Sequence, residues 1–274
     1  MSNLSFELVP GAGRVISSRE RYFDSFPYSQ EYYLEILLEN ANLYNIIKDG
    51  KNAGYFYLTD DGCLLEYYIK PDLINAVDTI FGDILKNFAV KTALCKTFDA
   101  PLLNCCVTYT TDFRGIGVLF RDYQEKPFLR SLPPPSVRKG VPADEARIIA
   151  VNEEVFDHPA EVMQYIQSGQ IFLFELDYDL VGFGIFSPVY PGRIEHDIGI
   201  LVTPQFRGMG YGQLIVNHLV HFCQKNGWKP SAGCAIENTA SRRCLEKSGF
   251  TATHRLLEFY FPHQHSLNKK RKTT

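Results

Sequence analysis

The fold is decided by the stretch Val202-Thr-Pro-Gln-Phe-Arg-Gly-Met-Gly-Tyr-Gly212. Residues 194–202 before it have the character of a strand, and the residues after it have a helical spacing of apolar side chains, at Leu214, Ile215, Leu219 and Phe222. A glycine-rich loop that opens a helix presents backbone N–H groups at the positive end of the helix dipole. Glycines at 208, 210 and 212 let the main chain approach an anion without a Cβ in the way. The stretch therefore predicts a binding site for an anionic group, most often a phosphate.

The composition limits the class of protein. The chain has 274 residues, 45% of them hydrophobic and 14% aromatic, which is enough to form real cores. A net charge of −3 gives no positive field, so nucleic acid is not an expected partner. The seven cysteines form no CxxC pair, and no metal site is predicted.

The chain has no apolar run near the roughly 18–20 residues that cross a bilayer, so no membrane partner is expected. The first ten residues do not resemble a signal peptide. Scattered thiols fit a reducing compartment, and we therefore expect a cytoplasmic protein. The basic run Lys269-Lys270-Arg271-Lys272 is interpreted as part of a solvated terminus.

A proline-rich segment divides the chain. Residues 127–142 contain Pro127, Pro142 and the run Pro133-Pro134-Pro135, which cannot lie inside a helix or a central strand. This segment is predicted to be an extended linker between two domains, residues 1–126 and residues 143–262. Residues 263–274 form the basic tail.

The two halves share an order of predicted elements. The second half predicts helices over 143–156 and 158–168, three strands, the glycine loop, and then helix, strand, helix, strand. The first half predicts a strand pair turned at Asp49-Gly50, a third strand, a helix over 72–88, a strand over 91–98, and a last strand over 115–121 after a short connector.

The strand–proline–helix junction of residues 68–72 matches that of residues 201–205, but it has no glycines. An internal duplication in which only the second copy kept an anion site explains this pattern. Two unrelated α/β units remain the alternative.

Two motifs carry a family resemblance. Residues 207–212, Arg-Gly-Met-Gly-Tyr-Gly, resemble the Arg/Gln-x-x-Gly-x-Gly/Ala loop of the GCN5-related N-acetyltransferases (GNAT). About thirty residues later, Asn238-Thr-Ala-Ser241 and Glu246-Lys-Ser-Gly-Phe250 resemble the second signature of that family. The residue pattern of this second region is similar to that of the FR47-like branch. The tandem layout is similar to that of mycothiol-synthase-like acyltransferases with a degenerate first domain.

Two other phosphate-binding loops do not fit. A Rossmann loop needs Gly-x-Gly-x-x-Gly after a first strand, and a P-loop needs Gly-Lys-Ser/Thr. The resemblance implies an α/β (α+β) fold of two tandem GNAT-like domains, each with a mixed, mostly antiparallel sheet flanked by helices. The first of them is the degenerate domain, without a cofactor loop.

The resemblance also implies cofactor contacts. The backbone of Ile200, Leu201 and Val202 would pair with the pantetheine arm of acetyl-CoA. Arg207 would lie beside a phosphate. Asn238 and Ser241 would lie at a helix start, where the asparagine reaches the cofactor or simply caps the helix. The pyrophosphate would be held by the amides of Gly208, Met209, Gly210, Tyr211, Gly212 and Gln213.

Amine acylation needs a base, and the candidates lie on the strand before the loop. They are Glu195, His196 and Asp197, and their side chains alternate between the two faces of the sheet. Family members with a base on this strand carry it on the face that His196 shares, which makes His196 the first candidate. A partly buried histidine with one structural hydrogen bond is the alternative. The position where the family usually has a tyrosine as general acid is Leu245.

We therefore expect an N-acetyltransferase that moves the acetyl group of acetyl-CoA to a primary amine of an unidentified small molecule or peptide. The alternative is a non-catalytic acyl-CoA-binding sensor or scaffold protein, which Leu245 favours. The sequence indicates neither the acceptor nor the oligomeric state.

Overall fold

The computed structural model describes residues 3–10, 17–128, 131–153 and 155–262. The chain divides into two compact units: unit 1 comprises Met1–Val118 and His254–Thr274, and unit 2 comprises Leu119–Thr253. The predicted basic tail, residues 263–274, lies outside the described residues.

The chain forms 14 strands and eight α-helices within the described residues. The first part contains β1 (Leu4–Leu8), α1 (Ser17–Asp24), α2 (Tyr32–Leu38), β2 (Ala41–Lys48), β3 (Lys51–Thr59), β4 (Cys63–Ile69), α3 (Val77–Asn87), β5 (Thr92–Lys96), α4 (Ala100–Tyr109) and β6 (Phe113–Phe120). The second contains β7 (Asp122–Tyr123), β8 (Ser136–Lys139), α5 (Glu145–Val151), α6 (Pro159–Gln167), β9 (Ile171–Leu176), β10 (Asp179–Pro188), β11 (Glu195–Val202), α7 (Tyr211–Lys225), β12 (Lys229–Ala235), α8 (Thr239–Ser248), β13 (Phe250–Thr251) and β14 (His254–Tyr260). Short 3-10 turns at Pro71–Ala76, Pro142–Asp144 and Pro204–Phe206 precede α3, α5 and α7.

Unit 1 contains a mixed sheet in the order β1-β2-β3-β4-β5-β14. The pairs are antiparallel except β4 with β5, which run parallel. The strand beside β5 is therefore the C-terminal β14, in a register that runs from Leu256 opposite Lys96 to Tyr260 opposite Thr92. Phe259 of this strand is fully buried in the core with residues from α3 and α4.

Two tyrosine hydroxyls of unit 1 bind carbonyls at the start of α3. Within the described part of the chain, the register between β4 and β5 comprises Cys63 with Thr92 and Leu64 with Ala93. The buried Tyr67 hydroxyl donates to the carbonyl of Val77 (2.7 Å), the first residue of α3, and the Tyr109 hydroxyl donates to the next carbonyl (2.9 Å). Two carbonyls in the first turn of α3 thus accept hydrogen bonds from tyrosine hydroxyls.

Unit 2 contains a sheet in the order β12-β11-β10-β9-β8, and β7 pairs with β13 in a separate ribbon. Its pairs are antiparallel except β11 with β12, which run parallel. Helices α5 and α6 cover one face, where Ile148, Val162 and Leu201 share a core. On the other face Gly184 of β10 lies against Leu219 of α7. The predicted α/β class with mixed, mostly antiparallel sheets is confirmed.

The structure differs from the predicted elements in a few places. The segment predicted as a short connector before residue 115 forms α4, and the helix predicted over 143–156 is limited to α5. The predicted linker contains the edge strand β8, directly after the run of prolines. The boundaries of the two units differ from those of the predicted domains. Residues 119–126 belong to unit 2, and β14 belongs to unit 1.

The position of β14 gives a testable prediction. A chain that ends at Thr253 should disrupt the sheet of unit 1, because β5 loses its neighbour and the core loses Phe259. We expect the amides of β5 to lose hydrogen-exchange protection in this variant. A control chain that ends at Pro262 should keep it. Equal protection of β5 in both truncated chains would contradict the assignment of β14 to unit 1.

Candidate active site

Strand β11 leaves part of its backbone without a neighbouring strand. On one side it pairs with β10 along its length, from His196 opposite Pro188 to Val202 opposite Gly182. On the other side it pairs with β12 only from Glu195 to Asp197, and within the described residues this register ends where Asp197 lies opposite Ser231. The backbone from Ile198 to Val202 therefore faces an opening that another extended chain could fill.

The glycine loop begins at the end of this strand. Gly208 has φ +74° and Gly210, the N-cap of α7, has φ +117°. Residues with a Cβ rarely adopt these conformations, so the loop depends on glycine at both positions. The first amides of α7 have no carbonyl one turn earlier in the helix, and they form an N–H-rich end suited to an anion.

Gly212 is required for a different reason, the close approach of two helices. A Cβ at this position would lie 2.9 Å from Cys244 Sγ on α8 and 3.5 Å from side-chain carbons of Ile200 and Val202. The absence of a side chain at Gly212 thus lets α7, α8 and β11 meet around one cleft.

Helix α8 forms the opposite wall of the cleft. Its N-cap is Asn238, whose Oδ1 accepts a hydrogen bond from the amide of Ser241 (2.9 Å). At its other end the Gln213 side chain donates to the carbonyl of Lys247 (3.1 Å), which ties the last turn of α8 to the first turn of α7.

These elements enclose a cleft of about 540 Å³, within the range of small-molecule sites. Ten of the twelve predicted cofactor residues line it, namely Ile200, Leu201, Val202, Arg207, Gly208, Gly210, Gly212, Gln213, Asn238 and Ser241. The side chains of the other two lie elsewhere: Met209 is exposed, and Tyr211 is buried against Phe206.

The cleft also contains residues that the sequence motifs did not indicate. On α8 these are Ala240, Arg243, Cys244 and Lys247, and elsewhere Glu153, Val155 and Phe206. Two of the α8 residues could have been found from helical spacing, because Cys244 lies three residues after Ser241 and Lys247 three residues after Cys244. Glu153 lies just after α5, and no local pattern connects it with the loop.

Arg207 and Glu153 form an ion pair at the cleft, with Arg207 Nη2 donating to Glu153 Oε2. The Arg207 Nε also donates to the carbonyl of Val202 (2.9 Å). The guanidinium is thus held at the end of β11, beside the glycine loop.

The general-acid position offers no proton donor. Leu245 is apolar and buried. The preceding residue, Cys244, does line the cleft, and burial raises the pKa of its thiol to about 11. Cys244 is therefore a neutral thiol at neutral pH, and it lies beside Gly212 at the glycine loop.

The three candidate bases lie just before the point where β11 and β12 diverge, and none of them lines the cleft. His196 is buried, and its ring stacks on Trp228 with centroids 4.0 Å apart and planes 11° apart. Its Nδ1 lies 3.1 Å from the carbonyl of Ile194. A carbonyl only accepts, so Nδ1 is the donor of this hydrogen bond. Glu195 and Asp197 are partly exposed, and they lie on the face of the strand opposite to that of His196.

The fold and the cleft define an α/β unit whose strand–loop–helix is suited to an anion, and comparison with known families gives the class. Residues 13–123 match the family model described as "Acetyltransferase (GNAT) domain", and residues 143–250 match "Acetyltransferase (GNAT) family". The chain belongs to the GNAT acetyltransferase family and carries two of its domains in tandem. The predicted tandem arrangement of two GNAT domains is thereby confirmed, whereas their origin by duplication and the FR47-like branch stay predictions.

Solved structures share the fold at low identity. A GNAT-family acetyltransferase from Colwellia psychrerythraea has a TM-score of 0.81 and 18% identity, over 94% of this chain and 100% of the other. A GCN5-related N-acetyltransferase from Sphaerobacter thermophilus has a TM-score of 0.59 and 15% identity, over 93% and 94%. A tandem GNAT protein from the clavulanic acid biosynthesis pathway has a TM-score of 0.56 and 9% identity, over 94% and 98%. A comparison with curated proteins gives no significant match.

The described residues lack two features. None of their helices is long and apolar enough to cross a bilayer. Among these same residues, no group of three or more His, Cys, Asp or Glu side chains is placed to hold a metal ion.

The contact between Gly212 and Cys244 gives a second prediction. In the wild-type background Gly212→Ala should lower the free energy of unfolding by about 1–3 kcal/mol, because the new methyl group meets Cys244 Sγ. In a Cys244→Ala background the same change should raise it by about 0.5–1 kcal/mol, since alanine restricts the unfolded chain more than glycine. Chemical denaturation of the four proteins measures both values. If Gly212→Ala changes the free energy of unfolding in the same direction in both backgrounds, the contact with Cys244 is not the reason for glycine at this position.

Proposed function

We propose that the cleft of unit 2 binds acetyl-CoA and that the protein transfers its acetyl group to a primary amine. The observation that carries this proposal is the opening beside Ile198–Val202, which leads directly to the N–H-rich start of α7. A ligand that is extended and amide-containing at one end and doubly phosphorylated at the other matches both features.

The pantetheine arm would lie along Ile200, Leu201 and Val202 and pair with their backbone as an added strand. The pyrophosphate would lie at the amides between Gly208 and Gln213, where Arg207 supplies a nearby positive charge. In this pose the thioester lies toward the vertex formed by Asp197 and Ser231.

The reaction is direct acyl transfer. The amine nitrogen attacks the thioester carbonyl carbon, the new C–N bond forms, and the C–S bond breaks. The proton leaves the amine for a base, and the thiolate of coenzyme A takes up a proton. The products are an amide and free coenzyme A.

His196 is our first candidate for the base. Its Nδ1–H bond to the Ile194 carbonyl and its stack on Trp228 fix the tautomer and the plane of the ring. In the neutral ring Nε2 is then an acceptor, and within the described residues it has no hydrogen-bond partner. Asp197, at the vertex itself, is the alternative base.

A non-catalytic acyl-CoA-binding sensor or scaffold is the second candidate function. The specific observation in its favour is the buried Leu245, which leaves the usual position of the general acid without a hydroxyl group. Binding and turnover therefore need separate tests.

Two glycines at opposite ends of α7 provide the binding test. Gly208 has φ +74° and Gly227 has φ +75°, and a Cβ on either meets nothing within 4 Å. Gly208→Asp and Gly227→Asp thus carry the same strain and the same charge. We expect calorimetry to show acetyl-CoA binding weakened more than about a hundredfold only in Gly208→Asp, because its carboxylate lies at the phosphate site. Equal affinities of the two variants would place the cofactor elsewhere.

Turnover is tested by acceptor-dependent release of free thiol from acetyl-CoA over a panel of amines. His196→Gln should lower kcat by about 10²–10⁴-fold, as expected for loss of a general base, with the acetyl-CoA Kd unchanged. His221→Gln, at an exposed histidine of α7, is the control. Full activity of His196→Gln with loss in Asp197→Asn would move the role to Asp197. Tight binding without thiol release for any amine would favour the sensor.

A further inference from the structure

Helix α8 carries three cationic side chains, and only one of them is neutralised on the helix. Arg242 Nε donates to Glu246 Oε1 (2.9 Å), and Arg242 does not line the cleft. Arg243 and Lys247 are exposed, line the cleft, and have no ion pair with any residue that the structure describes. They are four residues apart and therefore lie on the same face of the helix, one turn from each other.

The position of Lys247 places this pair next to the anion site. The Gln213 side chain donates to the carbonyl of Lys247, and Gln213 is also the last residue of the amide group that begins α7. Asn238, which starts α8, marks the other end of the wall. The two cations thus lie toward the phosphate end of the cleft, away from the end where β11 diverges from β12.

The cleft has more positive charge than its pyrophosphate site needs. Three cations, Arg207, Arg243 and Lys247, line it with one carboxylate, that of Glu153. The backbone amides at the start of α7 can hold a pyrophosphate by themselves, and Arg207 is already engaged with Glu153. A net positive lining in a chain with net charge −3 indicates a further anionic group on the ligand.

We propose that Arg243 and Lys247 bind the 3′-phosphate of coenzyme A and make the site selective for it over dephospho-coenzyme A. This inference rests on the proposed function. A phosphate monoester carries about −1.5 to −2 charges at neutral pH. The planar guanidinium of Arg243 can bind two of its oxygens, and the ammonium of Lys247 adds a flexible point charge.

A purely structural role makes a different prediction. A lysine in the last turn of a helix interacts favourably with the helix dipole, and an exposed arginine is solvated. In that case Arg243 and Lys247 affect the stability of α8 but do not distinguish ligands that differ by a single phosphate.

The test is a comparison of two commercial ligands, acetyl-CoA and acetyl-dephospho-CoA, by isothermal titration calorimetry. The proteins are the wild type, the double variant Arg243→Gln/Lys247→Gln, and the control Arg242→Gln. We expect the wild type to prefer acetyl-CoA by about tenfold or more, as charge-assisted hydrogen bonds to phosphate predict. The double variant should lose this preference through weaker binding of acetyl-CoA alone. Arg242→Gln should keep it.

The outcomes are separable. Unchanged affinity of the double variant for acetyl-dephospho-CoA shows that the cleft is still folded, so the loss is specific to the 3′-phosphate. Equal affinity of the wild type for both ligands, or equal weakening of both in the double variant, would overturn the inference while the proposed function stands. If the wild type binds neither ligand, the proposed function itself fails and the inference fails with it.

Discussion

The parting of β11 from β12 is the constraint on which the rest of unit 2 depends. A strand inside a sheet normally satisfies its backbone on both sides. Here the parallel register stops at Asp197 and Ser231, and the next residues of β11 keep only their bonds to β10. Everything beyond that vertex is arranged around the opening, since the glycine loop closes one end and α8 forms the far wall.

The same parting occurs in unit 1 with a different outcome. There β4 leaves β5 after Leu64, but the chain runs through the 3-10 turn Pro71–Ala76 into α3 without a glycine loop. The hydroxyls of Tyr67 and Tyr109 bind the carbonyls of its first turn. The segment between β4 and α3, residues 70–76, contains no glycine, so the conformations that Gly208 and Gly210 give to the loop of unit 2 are not accessible there.

Part of this architecture follows from local sequence patterns. The loop and both flanking elements could be predicted because glycine, helix spacing and the Asn238 cap are local signals, each within one turn or strand. The same holds for the paired strands around Asp49-Gly50. Helix α4 is an exception: the sequence pattern predicts a connector there, although Asp99 caps the helix by accepting from the amide of Leu102 (3.3 Å).

Long-range pairing could not be predicted in this way. The placement of β14 beside β5 joins residues more than 150 positions apart, and strand periodicity gives a face but not a partner. The buried Arg19 is a second example, because its guanidinium binds both Glu35 and Glu66 across unit 1. Burial raises the pKa of Glu35, and the charge of Arg19 partly offsets this effect. Such a network depends on three elements meeting, which no single stretch of sequence encodes.

The ion pair of Arg207 with Glu153 links the loop to the segment after α5. An exposed pair of this kind contributes little to stability, about 0–1 kcal/mol. Its effect on a ligand is larger in principle, because a phosphate and the Glu153 carboxylate compete for one guanidinium while repelling each other. Arg207 keeps its second bond, to the Val202 carbonyl, whichever anion it meets. The guanidinium is therefore held at the end of β11, beside the glycine loop, by a bond that does not depend on Glu153.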